Sequence, residues 1–476
     1  MIHLGKLVKL WTRIDPRYLP FADVATSELP LGRLFRLSLF QVSVGMATSL
    51  LVGTLNRVMI VEMEINAWIV ALMVALPLVF APFRALIGHK SDTHRSILGW
   101  RRVPYIWLGT WMQFGGLAIM PFALILLSGD THWPTWFSYV GSALAFLLVG
   151  AGMQTTQTAG LALATDIADP DNRPRVVAMM YAMLLMGMVF SGILFSVFLE
   201  PFSPLQLVRV IQGVAIITLF LNLFALWKQE ARQPRKTSPE IAQPRFTDSW
   251  RGFIKKPSIR RFLFMLGVGT TAFSMQDIIL EPYGGEILHL DVSATSFLTA
   301  LIAFGSLLAF SLSARWMVRG YNAYRIAAFG LLLGLIAFTT VIFSDPLGSP
   351  MLFRCGAFLI GFSGGLFAVS TLTIAMSMEQ ENMSGMVIGA WGAVTASCSG
   401  IGMSLGGVIR DLATQFAMSG SMGSVLMNPA IGYSIVYHIE IYLLFITLIA
   451  LGPLVAKGGL FNVSKARKFG LADFPG

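Results

Sequence analysis

Twelve apolar runs of about 20 residues constrain this chain more than any other feature of its sequence. About 20 helical residues are needed to cross the hydrocarbon core of a bilayer. Helices are the default spanning form, because each one satisfies its own backbone hydrogen bonds in lipid. Only 12% of the residues are charged, whereas soluble proteins average about 25%. The sequence therefore predicts an all-α, multi-pass membrane protein, and not the three or so soluble domains that its length alone would suggest.

The predicted spans fall into two groups of six, separated by a polar stretch. They lie near residues 34–56, 67–87, 103–127, 136–164, 176–199, 207–228, 262–281, 294–314, 324–343, 351–376, 383–409 and 431–455. Segments before the fifth and eleventh spans resemble each other, as do the basic loops after the second and eighth. A repeat of six plus six helices indicates the major facilitator fold, with two pseudo-symmetric halves.

These features predict five regions along the chain. We expect a cytoplasmic N-terminal segment with an interfacial helix (1–32), a first six-helix half (33–228), a cytoplasmic linker (229–261), a second six-helix half (262–456) and a cytoplasmic tail (457–476). The linker is rich in Lys, Arg and Pro. The N-terminal segment alternates cationic and apolar residues, which is typical of a helix lying on a membrane surface. A solvated tail is the alternative for that segment.

The net charge of +10 would be compatible with a nucleic-acid partner, but its distribution indicates otherwise. If the N-terminus is cytoplasmic, all but four of the 34 Lys and Arg lie at cytoplasmic ends or loops; the exceptions are Arg57, Arg209, Arg354 and Arg410. This asymmetry is the positive-inside pattern. We therefore expect both termini in the cytoplasm, membrane lipids as partners and no nucleic acid.

A basic loop follows the second span and carries the spacing found in loops of major facilitator transporters. Its residues face a predicted acidic loop before the fifth span, so the two loops could form a latch that holds one conformation. The solvated loop expected from the positive-inside pattern is the alternative. The residues assigned to this gating loop are Gly88, Asp92, Arg95, Arg101, Arg102, Asp166 and Arg173.

Polar groups inside the first and seventh spans form a second candidate site. A charge at the bilayer centre costs roughly 2.5–3.5 kcal/mol on insertion scales, so such a group needs a partner or a cavity. We predict an interaction between Arg57 and Asp277 across a central cavity, unless Arg57 simply snorkels to the interface. The full set of cavity residues is Asn56, Arg57, Glu62, Gln276, Asp277 and Glu281.

Other chemistry is poorly supported by the sequence. No phosphate loop, nucleophile elbow or His-Glu-x-x-His pattern occurs, so we expect no catalytic residues, no catalytic cofactor and no bound metal. His438 is the only histidine inside a predicted span. Its imidazole is a candidate ligand for the magnesium of a tetrapyrrole, although a hydrogen bond within the bundle is the more common role.

Four motifs together resemble the bacteriochlorophyll delivery family, the light-harvesting assembly proteins of purple phototrophs within the major facilitator superfamily. They are Gly53-Thr-Leu-Asn-Arg-Val-Met-Ile-Val-Glu62, Gly88-His-Lys-Ser-Asp-Thr-His-Arg-Ser96, Gly99-Trp-Arg-Arg-Val-Pro-Tyr-Ile-Trp107 and Gln276-Asp-Ile-Ile-Leu-Glu-Pro-Tyr-Gly-Gly285. The resemblance covers nearly all of residues 33–456.

The resemblance implies a non-enzymatic assembly factor in the intracytoplasmic photosynthetic membrane, with bacteriochlorophyll as cargo. Its implied partners are light-harvesting antenna polypeptides, the reaction centre–antenna complex and bacteriochlorophyll synthesis enzymes, and light-harvesting 1 is the implied complex. A secondary transporter that moves a small solute by alternating access is the alternative. A purely structural antenna subunit is a third interpretation.

Overall fold

The structure of the protein is a computed structural model. It describes residues 31–79, 102–127, 134–167, 173–230, 257–377, 384–419 and 427–458, together with residues 87, 91, 100 and 423. All regular elements within these residues are helices, as the apolar runs predict.

The first half contains six helices. Helix α1 is α-helical over Leu31–Thr48 and continues to Glu62 through π-helical segments at Ser49–Leu55 and Val58–Glu62. The others are α2 (Ala67–Val79), α3 (Val103–Leu127), α4 (Thr135–Ile167), α5 (Arg173–Phe198) and α6 (Pro204–Leu226).

The second half repeats this pattern. Helix α7 is α-helical over Pro257–Ser274, passes through a 3₁₀ turn at Met275–Asp277 and resumes over Leu280–Glu286. The others are α8 (Val292–Val318), α9 (Ala323–Ile342), α10 (Pro350–Ser377), α11 (Ser384–Met418) and α12 (Ala430–Gly458). Eleven of the twelve helices are long and apolar enough to cross a membrane, and the described part of α2 is shorter.

Local sequence signals fix where several helices begin. The side chain of Asp291 accepts a hydrogen bond from the Ala294 N–H at 2.7 Å and caps α8. Asn322 caps α9 through the Tyr324 N–H at 2.8 Å. Capping side chains satisfy N–H groups that have no partner inside the helix. Each of these helices therefore starts where a polar residue precedes the apolar run.

The packing partners show that the two halves are pseudo-symmetric. In the first half α1 packs on α5 and α6, α3 packs on α4 and α6, and α2 packs on α4. In the second half α7 packs on α11 and α12, α9 packs on α10 and α12, and α8 packs on α10. Each contact recurs six helices later, and the halves meet through α5 with α8 and α2 with α11. This arrangement is the predicted major facilitator fold.

The two ends of the bundle differ in their charged residues. The basic end is where α1 begins, and it holds Arg33, Arg102 and Asp166. The far end is where α1 finishes, and it holds Glu62, Glu286 and Arg410. Large apolar side chains such as Phe122, Phe220 and Ile449 point outward, as expected of a surface in contact with lipid.

Candidate functional site

The first helix of each half is irregular at the same depth. Helix α1 is π-helical on both sides of Asn56 and Arg57, and α7 breaks at Met275–Asp277. π-Helical turns within membrane helices are frequent at functional sites, and discontinuous helices often form the binding sites of transporters. The two irregular segments are the ones that carry the predicted cavity residues.

These segments contact each other directly. The side-chain amide of Asn56 donates hydrogen bonds to the backbone carbonyls of Asp277 at 3.1 Å and Ile278 at 3.4 Å. Both carbonyls lie at the break in α7, where the regular helical hydrogen bonds are interrupted. Asn56 is fully buried, so its amide gives these two carbonyls the hydrogen bonds that water cannot supply there. The sequence motifs at 53–62 and 276–285 thus form one site between the halves.

The predicted ion pair between Arg57 and Asp277 is not formed, so that prediction was wrong. Arg57 pairs instead with Glu62, and its other terminal nitrogen donates to the Leu290 carbonyl at 3.1 Å. The π-helical turn explains the difference, because its i to i+5 spacing places residues 57 and 62 on one face. The Asp277 carboxylate accepts a hydrogen bond from the neighbouring Gln276 amide.

Glu281 is buried beside α1. Its carboxylate accepts a hydrogen bond from the Thr299 hydroxyl of α8, and only 3% of its surface is exposed. A Cβ atom at Gly53 would lie 2.7 Å from Glu281 Oε1, so any side chain at this position would clash unless the Glu281 carboxylate moved. Gly53 therefore allows the carboxylate of Glu281 to lie against the backbone of α1.

A second charged cluster closes the far end of the second half. Arg410 on α11 pairs with Glu286 at the end of α7 and with Asp411, the latter at 2.8 Å. The Tyr433 hydroxyl of α12 bonds to both Glu286 and Arg410, and the guanidinium lies 4.6 Å from the Tyr433 ring centroid. Cation–π contact adds to the ion pair in such an arrangement. The cluster joins the far ends of α7, α11 and α12.

Three further contacts join the two halves at the far end. The Asp411 carboxylate accepts the Trp68 N–H at 2.7 Å, at the first turn of α2. The hydroxyl pairs Thr54–Ser296 and Ser196–Ser293 are each 3.1 Å apart. Among the described residues, every hydrogen bond between the halves lies at this end. The structure therefore shows the far end closed.

The basic end has its own network, centred on Arg102. Its Nε lies 3.1 Å from Asp166 Oδ2, and its Nη1 donates to the Ser91 hydroxyl at 2.5 Å. The Glu230 carboxylate accepts the N–H groups of Arg102 and Val103, the latter at 2.9 Å, and so caps α3. Arg102 and Asp166 belong to the first half and Glu230 follows α6, so the contacts fasten α3 to α4 and to the chain after α6.

The other members of the predicted gating loop are not brought together by the described structure. Gly88, Asp92, Arg95 and Arg101 lie outside the described residues, and Arg173 is described only as the first residue of α5. A gating role for these residues stays a prediction.

Two residues of α12 lie on opposite faces. His438 is exposed on the outer surface of the bundle, and its Nδ1 lies 2.7 Å from the Ser434 carbonyl oxygen. Glu440 is fully buried, close to Asp277 and the backbone of Gln276. Both positions lie within the membrane-spanning part of α12.

Sequence reasoning missed several residues that the structure places in these networks. Glu286 was overlooked because it follows the apolar run of α7, and Glu230 because it falls in the predicted linker. Arg410 gave a usable signal, since it is one of four cations that depart from the positive-inside pattern. A buried cation at that position requires an anionic partner, which the structure identifies as Glu286.

The profile of the family described as PUCC protein matches residues 54–459. The chain belongs to the PucC family. An uncharacterized protein in the puhA-bchM intergenic region of Rhodobacter capsulatus is 50% identical over 99% of this chain and 98% of its own length. Protein PucC of Rhodovulum sulfidophilum is 51% identical over 84% of this chain and 89% of its own length.

A more distant relative is named after bacteriochlorophyll synthesis. The bacteriochlorophyll synthase 44.5 kDa chain of Rhodobacter capsulatus is 26% identical over 90% of this PucC-family chain and 96% of its own length. The family membership confirms the resemblance that the four motifs predict.

Solved structures confirm the fold. A bacterial homologue of the lysosomal transporter Spinster aligns with a TM-score of 0.66 at 15% identity, covering 92% of this chain and 98% of its own. A bacterial homologue of the iron transporter ferroportin aligns with a TM-score of 0.64 at 14% identity, covering 90% of this chain and 99% of its own. At this level of identity the likeness concerns the fold only. The PucC-family chain is therefore a multi-pass membrane protein with a major facilitator fold.

Proposed function

We propose that this PucC-family protein is an assembly factor for light-harvesting complexes, which handles bacteriochlorophyll during its insertion into antenna polypeptides. The near full-length similarity to proteins named PucC carries the proposal. The name of the distant relative, bacteriochlorophyll synthase 44.5 kDa chain, supports a connection with this pigment. Light-harvesting 1 is the complex we assign.

The internal geometry supports a protein whose two halves move against each other. The family-like motifs of α1 and α7 meet at irregular backbone, and the hydrogen bonds between the halves, among the described residues, are few and lie at the far end. A polar contact is released at lower cost than a large apolar one. We therefore propose that pigment or antenna helices are handled by a bundle that can open at the far end.

Bacteriochlorophyll is cargo in this proposal, and the protein performs no reaction on it. Antenna polypeptides, the reaction centre–antenna complex and the enzymes of pigment synthesis are the proposed partners. The positive-inside pattern supports a cytoplasmic orientation for the basic end and both termini, and the intracytoplasmic photosynthetic membrane is the proposed location.

Secondary transport of a small solute is the second candidate function, and one observation favours it. The second half carries three carboxyl groups within its membrane-spanning helices: those of Glu281 and Glu440 are buried, and that of Asp277 is half-buried. Buried ionisable residues in membrane spans often mark ion or proton pathways. These groups are the observation that supports the transport alternative.

A deletion experiment separates the two functions. A phototrophic strain lacking the chain should lose the near-infrared absorption band of light-harvesting 1 from its membranes, while free bacteriochlorophyll is still made. The wild-type chain should restore the band. Normal antenna levels in the deletion strain would overturn the assembly function and leave transport as the better explanation.

A further inference from the structure

We propose that His438 is the axial ligand of a metal-centred tetrapyrrole on the lipid-facing surface of α12. The inference rests on the proposed function, in that it names a binding site for the pigment. It is carried by the position, the hydrogen bonding and the surroundings of this one imidazole.

His438 occupies an unusual position for an ionisable residue. It lies eight residues beyond the start of α12, or about 12 Å along the helix, and within the membrane-spanning segment Ala430–Val455. Its side chain nevertheless faces outward. Ionisable residues in membrane spans almost always face the bundle interior or a water-filled cavity. An outward imidazole at this depth calls for a partner that arrives from the lipid.

The hydrogen bond of the imidazole prepares it for such a partner. Nδ1 lies 2.7 Å from the Ser434 carbonyl oxygen, which can only accept, so Nδ1 carries a proton. In the neutral imidazole Nε2 then holds a lone pair and no proton. Nε2 has no hydrogen-bond partner among the described residues. A metal-binding histidine is commonly oriented by a hydrogen bond from its other ring nitrogen to a backbone carbonyl.

A single imidazole selects the kind of metal that can bind. A free zinc ion in a structural site takes four protein ligands, and the described residues contain no group of three or more His, Cys, Asp or Glu that could hold a metal ion. A metal inside a tetrapyrrole already has four equatorial nitrogens. One histidine is then a sufficient protein ligand, as it is for haem iron in globins.

The rest of this face suits a flat, apolar macrocycle. Tyr442, Phe445 and Ile449 follow His438 at intervals that return to the same side of an α-helix. Their exposed fractions are 66%, 49% and 73%. Two aromatic rings beside the imidazole offer stacking contacts to a conjugated ring system. The charged residue nearest in sequence, Glu440, is buried on the opposite face and leaves the surface apolar.

The test compares two pigments that differ only in the metal. Full-length protein in phospholipid nanodiscs is titrated with bacteriochlorophyll a and with metal-free bacteriopheophytin a, and binding is followed by absorption. Wild-type protein should bind the magnesium form more tightly, and His438→Leu should lose about 10- to 100-fold in affinity for that form only, as for loss of groups that support a metal site. Tyr442→Leu should weaken the binding of both pigments and keep the preference for the magnesium form.

A rescue experiment keeps the result independent of folding. Free imidazole added to His438→Gly should restore the absorption signature of the five-coordinate pigment. The proposal is overturned if His438→Leu retains the preference for magnesium, or if wild-type protein shows none. Either result leaves the assembly function to be decided by the antenna band in membranes, so failure of this site and failure of the function are distinguishable.

Discussion

The side-chain amide of Asn56 lies 3.1 Å from the backbone carbonyl oxygen of Asp277, and this bond joins the π-helical part of α1 to the break in α7. It links the two halves at the point where both of their first helices are irregular. This bond is one of a few polar contacts that close the far end, and it adds to the packing of α5 with α8, of α2 with α11, and of α1 with α7 and α8.

Replacing Asn56 by Leu should favour opening of the far end. A hydrogen bond contributes about 0.5–1.5 kcal/mol net, so the closed population should fall about 2- to 10-fold relative to the open one. Spin labels at Phe198 and Phe416, both exposed at the far end, would report the separation by double electron–electron resonance.

Asn222→Leu is the matched control for this measurement. Asn222 is also fully buried, but its amide bonds to Gln113 within the first half. It should lower stability without changing the distance between the labels. Equal distance distributions in Asn56→Leu and wild type would contradict the role assigned to Asn56.

The Glu286–Arg410 pair should stabilise the far end of the second half. Removing one partner from a fully buried pair costs about 3–5 kcal/mol, and the cost should be smaller here because Glu286 is half-buried and Arg410 also pairs with Asp411. Glu286→Gln and Arg410→Met should each lower the thermal unfolding temperature. The double variant should recover most of the loss, and strictly additive losses in this double-mutant cycle would argue against a direct interaction.

Asp411 should stabilise the start of α2. Its carboxylate accepts the Trp68 N–H across the interface between the halves, and loss of a capping side chain costs about 0.5–2 kcal/mol. Asp411→Ala should therefore lower the unfolding temperature and loosen the contact of α2 with α11. Asp411→Asn, which keeps an acceptor oxygen, should retain much of the stability. If both variants lose the same amount, the carboxylate acts mainly through Arg410.

Glu230 should act as a cap for α3 at the basic end. Glu230→Ala removes the acceptor for the N–H groups of Arg102 and Val103, so the first turn of α3 should exchange amide hydrogens faster. Hydrogen exchange measured by mass spectrometry would test this, and the first turn of α9, capped by Asn322, serves as an internal reference. Unchanged exchange at residues 102–106 would contradict the assignment.

The helices could be predicted from the sequence because lipid imposes a strict requirement on them. Any segment that crosses the hydrocarbon core must be apolar and must satisfy its own backbone hydrogen bonds. The predicted span 103–127 accordingly coincides with α3. The contact between Arg102 and Asp166 was also predictable, since each charge lies at the same end of neighbouring helices.

The partner of Arg57 could not be predicted, because it depends on a change in helical pitch. A regular α-helix would place residues 57 and 62 on different faces, and the π-helical turn brings them together. No residue type in that segment specifies a π-helical turn. The partners of Arg410 required knowledge of which helices adjoin α11 at the far end, and this comes from the fold and not from local sequence.

Pigment transfer to an antenna polypeptide is the step that the proposed assembly function requires. Nanodiscs containing the full-length protein and bacteriochlorophyll a would be mixed with light-harvesting 1 polypeptides free of pigment, and the rise of the near-infrared band of the assembled antenna followed with time. We expect wild-type protein to accelerate this rise over nanodiscs with pigment and no protein. Equal rates with and without the protein would contradict a role in pigment delivery.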